Sequence, residues 1–159
     1  MEKYDDASWH YEGDFPKNLP IENAATHIGM FITWCIENNL LSEEQTLDFE
    51  EDISEVKKYK MTGSEYLINN CDEKFIEDDL CELGNNFTKD YYNNNSLFAD
   101  KYGTYFTDYC NIFDENAEKK GFEYESLYHV ENTWENYQLI KVIIDKRFEE
   151  WKKFTKFKS

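Results

Sequence analysis

Proline and glycine are scarce: the 159 residues hold two prolines and six glycines, which argues for long helices joined by short turns. The four cysteines, Cys35, Cys71, Cys81 and Cys110, never form a CxxC pair, so zinc-site and thioredoxin readings both fail. Cys35 lies in an apolar stretch and Cys81 beside Leu80 and Leu83, the setting of buried, reduced thiols. His10, His27 and His129 form neither HExxH nor another metal-spaced pair. The phosphate loops GxxxxGK[ST] and GxGxxG and the GxSxG elbow are missing, which leaves nucleotide binding and serine hydrolysis without a motif. No run approaches the ~20 apolar residues of a membrane span. The opening MEKYDDASWHYEGD carries no apolar signal, and the expected location is the cytoplasm. Positive charge is also short, with 17 basic residues against 34 acidic ones, a net charge of -17 and a pI near 4.5. This balance disfavours nucleic-acid backbones and anionic membranes as partners. It suits a basic protein partner, or else serves only to keep a small protein soluble.

Aromatic residues make up 18% of the chain, with 12 Tyr, 12 Phe and 4 Trp. That argues against disorder despite a mean hydropathy of -0.84. A chain of this length fits one domain, residues 1–159, and buries about 70% of its unfolded surface. The stretch Ala24 to Ile36, AATHIGMFITWCI, has no charged residue although the whole protein is 32% charged. Ile28, Phe31, Ile32, Cys35 and Ile36 follow a helical period, and Met30 and Trp34 cover a second face. The spacing predicts a central helix to about Asn39, with Asn23 as N-cap. Gly29 inside it costs about 1 kcal/mol relative to alanine, which points to a close backbone approach there.

Residues 1–20 read as an irregular, aromatic-rich segment in which Tyr4, Trp9, Tyr11 and Phe15 anchor to the core. Ser42 and Gln45 read as a capping box opening a second helix to about Tyr59. Thr62 caps a third helix, and Leu80, Leu83, Phe87 and Tyr91 belong to a fourth. The tract Tyr91 to Ser96 reads as a loop. Leu97 to Ile112 reads as one helix, with Phe98, Tyr102, Tyr105, Phe106 and Tyr109 on its apolar side, and Asp114 to Gly121 as a polar loop. Phe122 to Val130 is either a short strand or an extended packing segment. Thr133 caps a last helix, to about Phe154, with Tyr137, Ile140, Ile144, Phe148 and Trp151 in one stripe. Lys141, Lys146, Arg147, Lys152, Lys153, Lys156 and Lys158 gather in this tail. The expected fold is all-α, a single-domain bundle of five or six helices with a short extended element near 122–130.

Two acidic runs are the strongest surface signal. Asp48, Glu50, Glu51, Asp52 and Glu55 form the first candidate partner-binding set. Asp72, Glu73, Glu77, Asp78, Asp79 and Glu82 form the second, and Phe49 and Phe75 are candidate apolar anchors between them. A separate group, His10 and His27 with Asp5, Asp6 and Asp14, has the chemistry for metal binding or acid–base catalysis if it assembles in space. The simpler reading, which we adopt as the expectation, makes His27 a satisfied core residue and the aspartates local caps, with no metal and no cofactor.

The segment KYDDASWHYEGDFPKNLP, continued by ATHIGMFITW, resembles a family of small uncharacterised bacterial proteins sharing KYDDASWHY, a DFP turn and a THIGMF helix. The likeness extends through KMTGSEYL, CDEKF and VENTWENY. The resemblance implies a cytosolic single-domain protein and supplies no catalytic residue. Small acidic proteins of this sort look like the immunity proteins of bacterial toxin systems. The expected function is therefore an antitoxin-like immunity protein that binds a cognate basic protein toxin through its acidic surface and is not an enzyme. A metal-assisted enzyme using the N-terminal histidines and aspartates, and an oligomeric scaffold, are the alternatives.

Overall fold

A computed structural model describes residues 1–92 and 95–156. Asn93 and Asn94 of the expected loop and Lys158 of the basic tail lie outside the described residues. The N-terminal segment is not irregular. Lys3–Asp6 form strand β1, which pairs antiparallel with β2, Lys74–Ile76, placing Asp5 opposite Phe75 and Asp6 opposite Lys74. Asp6 then caps helix α1, Ala7–Tyr11, its Oδ1 accepting from the Ser8 amide at 2.9 Å. Of the aromatics expected to anchor this segment, Tyr4 is buried and Trp9 is exposed.

A 3₁₀ turn at Ile21–Ala25 leads into α2, Thr26–Glu37, the buried centre of a mostly helical single domain. Asn23 does not cap this helix; its side-chain amide donates to the Tyr128 carbonyl at 3.0 Å and ties the turn to a distant loop. Every α2 residue from Thr26 to Ile36 is buried. Each large apolar side chain so buried stabilises the fold by about 1.5–3 kcal/mol. Phe31 is an aromatic hub, meeting Trp34, Phe75, Phe87, Tyr91, Tyr92 and Tyr105.

The expected second helix is two, α3 (Glu43–Asp48) and α4 (Glu50–Lys57), because Phe49 leaves helical geometry and turns its ring towards Tyr66. Ser42 caps α3 by accepting from the Gln45 amide at 3.2 Å. The Gln45 side chain does not return the bond and reaches Asp79 and Tyr66 instead. Thr62 and Glu65 form a full capping box on α5, Gly63–Asn70. Helix α5 lies directly on α2, where a Cβ at Gly29 would collide with the Ser64 backbone and one at Gly63 with the Gly29 carbonyl. This is the close approach expected at Gly29.

Helix α6, Glu82–Tyr91, buries Phe87 and Tyr91, while Leu83 faces solvent. The expected helix from Leu97 breaks at Gly103, whose φ of 104° lies in the left-handed region. The pieces are α7, Leu97–Tyr102, and α8, Tyr105–Lys120, the latter capped by Thr104. Phe106 on α8 is exposed. The polar stretch from Asp114 is not a loop but the last turns of α8, which buries Phe113 and Ala117 there and ends at the left-handed Gly121. Residues 122–130 contain no strand, only a 3₁₀ turn at Leu127–His129. Helix α9, Trp134–Lys156, begins where the Thr133 hydroxyl accepts from the Asn136 amide at 3.1 Å. It buries Tyr137, Ile140, Ile144 and Trp151. Two polar clamps fix it. The Trp34 indole donates to Asp145 at 2.8 Å, and Arg147 grips buried Asp108 at 2.9 and 3.0 Å.

Candidate functional site

The first acidic set lies on α3 and α4. Leu47 is 71% exposed and lines a shallow, open groove with Asp48, Glu50, Glu51, Ser54, Glu55 and Lys58. Asp52 turns away from this groove to accept from Asn70 at 2.9 Å. The expected apolar anchors are elsewhere. Phe75 is fully buried and Phe49 packs on the core, so Leu47 holds the position they were expected to fill.

The second set is largely engaged within the chain. Asp72 pairs with Lys74 at 2.8 Å, Glu77 with Lys89 at 3.0 Å, and Glu73 accepts from the Tyr11 hydroxyl at 3.0 Å. Asp79 is buried and is not a surface residue. Its oxygens accept from the Ile76 amide at 2.9 Å and from Gln45 Nε2 at 3.0 Å. Burial, helped by neighbouring Asp78 and opposed by the Ile76 bond, pushes its pKa up to about 6. Asp78 and Glu82 remain exposed. The Ser42 amide donates to the Asp79 carbonyl at 2.9 Å, which holds this segment alongside the start of α3.

The histidine–aspartate group resolves into a core of three and two bystanders. Asp5 from β1, His10 from α1 and His27 from the first turn of α2 each direct a ligand atom to one point, within 4.8 Å of one another. Asp6 serves α1 as its cap, and Asp14 lies outside the cluster. His10 Nε2 donates to Asp5 Oδ1 at 2.7 Å, and His10 Nδ1 stands 2.7 Å from the Tyr128 hydroxyl. Tyr92 donates to Asp5 Oδ2 at 2.6 Å. Burial opposes charge on Asp5, but the His10 hydrogen bond and the approach of His27 outweigh it and hold the carboxyl below its ordinary pKa.

His27 is a core residue but not a satisfied one. It is 3% exposed and neither ring nitrogen makes a hydrogen bond, although Nε2 lies 3.3 Å from Asp5 Oδ2. Burial depresses its pKa, against the pull of Asp5. The four thiols are all free, with Cys35 buried and the others half-buried. Burial, with a smaller push from Asp79, raises Cys71 to about 12, opposite to the direction an activated nucleophile needs.

A family model described as a domain of unknown function, DUF7832, matches residues 3–130. The chain belongs to this family. No curated protein and no solved structure matches it. The DUF7832 match takes in Asp5, His10, His27 and both acidic runs, and it stops before α9. No helix among the described residues is long and apolar enough to cross a membrane.

Proposed function

We propose that this DUF7832 protein is an antitoxin-like immunity protein that neutralises a basic protein toxin of a bacterial toxin system by covering its active surface. The observation that carries the reading is exposed Leu47 set among Asp48, Glu50, Glu51 and Glu55, none of which forms an ion pair among the described residues. An apolar side chain ringed by unpaired carboxylates suits a cationic protein surface, with the apolar contact excluding water and the carboxylates setting orientation and rate. Toxins that act on nucleic acids present basic surfaces, which carboxylates can fill in place of phosphates. The net charge of -17 steers a basic partner towards the protein.

The test compares wild type with a variant carrying Leu47→Ala and Asp48, Glu50, Glu51 and Glu55 each changed to Lys. Wild type should retain from its native cytosol, at low salt, a basic protein that elutes as salt rises. That protein should arrest growth when expressed alone and be neutralised by wild type but not by the variant. Equal capture and equal neutralisation by the variant would remove this face from the reading. A retained protein without toxicity would remove the function.

A further inference from the structure

Independently of the toxin reading, we infer that Asp5, His10 and His27 form a binding site for one divalent transition-metal ion of the zinc type. A strand, a short helix and the central helix bring two imidazoles and one carboxylate together, with one ligand atom of each within 4.8 Å of the others. That donor set suits Zn²⁺, Co²⁺ or Fe²⁺ and not Mg²⁺ or Ca²⁺, which prefer oxygen ligands.

The independent observation is His27. A fully buried imidazole whose Nδ1 has no hydrogen-bond partner and whose Nε2 meets only Asp5, at 3.3 Å, is costly, and a metal on Nε2 would answer the deficit at that nitrogen. One of the ligand spacings already fits. Bonds of 2.0–2.1 Å in a tetrahedral site put neighbouring ligand atoms about 3.3 Å apart, and His27 Nε2 lies 3.3 Å from Asp5 Oδ2. The 2.7 Å contact between His10 and Asp5 is a hydrogen bond whose proton the ion would replace, with the two side chains opening by about 0.6 Å.

The groups around His10 and Asp5 match what ligands of a metal require. Tyr128 holds His10 through Nδ1 and so aims Nε2 inward. Tyr92 and the Asp6 amide bind the Asp5 oxygens. Tyr105 donates to the His27 carbonyl at 2.5 Å and fixes the start of α2. The Tyr109 ring lies edge-on to His27, and its hydroxyl is buried without a partner. Three protein ligands leave a fourth position for water or another exogenous ligand.

The test is titration of chelator-treated full-length protein with Co²⁺, followed in the visible d–d bands, and with Zn²⁺, followed by calorimetry and thermal melting. One equivalent should bind, Zn²⁺ should displace Co²⁺, and the melting temperature should rise with free metal. His10→Ala, at the half-buried edge of the cluster, should keep the wild-type circular dichroism spectrum. It should weaken binding by more than about 100-fold, since loss of an outer partner alone costs 10–100-fold. His27→Gln should do the same where it folds, and Asp14→Ala should bind as wild type. The absence of d–d bands together with an unchanged melt in millimolar Zn²⁺ would overturn the site. So would equal binding by wild type and His10→Ala, which would mark adsorption to surface carboxylates.

Discussion

Asp79 shows how one acidic residue can sit inside an acidic surface without belonging to it. Its pKa is raised to about 6 by burial, so between about pH 4 and 6 the folded state holds a proton that the unfolded state has released. Stability linked to this group is therefore present below the unfolded value and lost as pH rises through 6. A shift of about two units corresponds to about 3 kcal/mol in full, of which about 2 kcal/mol falls between pH 4.5 and 7. Denaturant titrations at pH 4.5 and 7 should show this loss in wild type, over and above that of Asp79→Asn. Equal pH slopes in the two proteins would contradict the assignment. Nothing in the string EDDLCE distinguishes Asp79 from Asp78. The distinction comes from Gln45, more than thirty residues earlier, which meets Asp79 only after α3 has docked.

At the scale of elements, the α2–α5 crossing is the tightest joint in the molecule. Gly63→Ala places a methyl against the Gly29 carbonyl and the Thr33 hydroxyl, and neither backbone can yield without moving its helix. The substitution should cost about 3 kcal/mol or more, whereas Val142→Ala on the exposed face of α9 should stay within about 0.5 kcal/mol. Urea midpoints of the two variants check this, and similar values would mean that the crossing relaxes freely. Features with local causes were legible in the sequence: the charge-free central helix, the Ser42, Thr62 and Thr133 caps, and the stripe on α9. Features decided by distant partners were not. β1 pairs with residues some seventy positions away, so KYDD reads as irregular until β2 is known. The last turns of α8 bury only Phe113 and Ala117, too sparse a pattern to oppose the polar look of DENAEKK. His10, His27 and Asp5 were visible as candidates, but separating Asp5 from Asp6 and Asp14 needed the strand register. Leu47 is not legible as a surface anchor, because a lone leucine in a charged helix gives no hint of its exposure.

For the molecule as a whole, α9 lies beyond the DUF7832 match yet covers its aromatic centre. Trp151 and Phe148 meet Phe87, Trp34 donates to Asp145, and Tyr137 bonds Glu37. A chain cut after Val130 should keep much of its helical far-ultraviolet signal, lose its near-ultraviolet signal, bind a hydrophobic dye and melt without a cooperative transition. A sharp melt for that fragment would show that α9 is an accessory to an independent fold. The same dependence has a meaning in the order in which a ribosome makes the chain. Trp34 and Phe87 emerge before Phe148 and Trp151, which cover them, and the nascent chain carries an open aromatic face until α9 follows. During that interval its surplus of negative charge, by keeping neighbouring nascent chains apart, protects what packing does not yet cover.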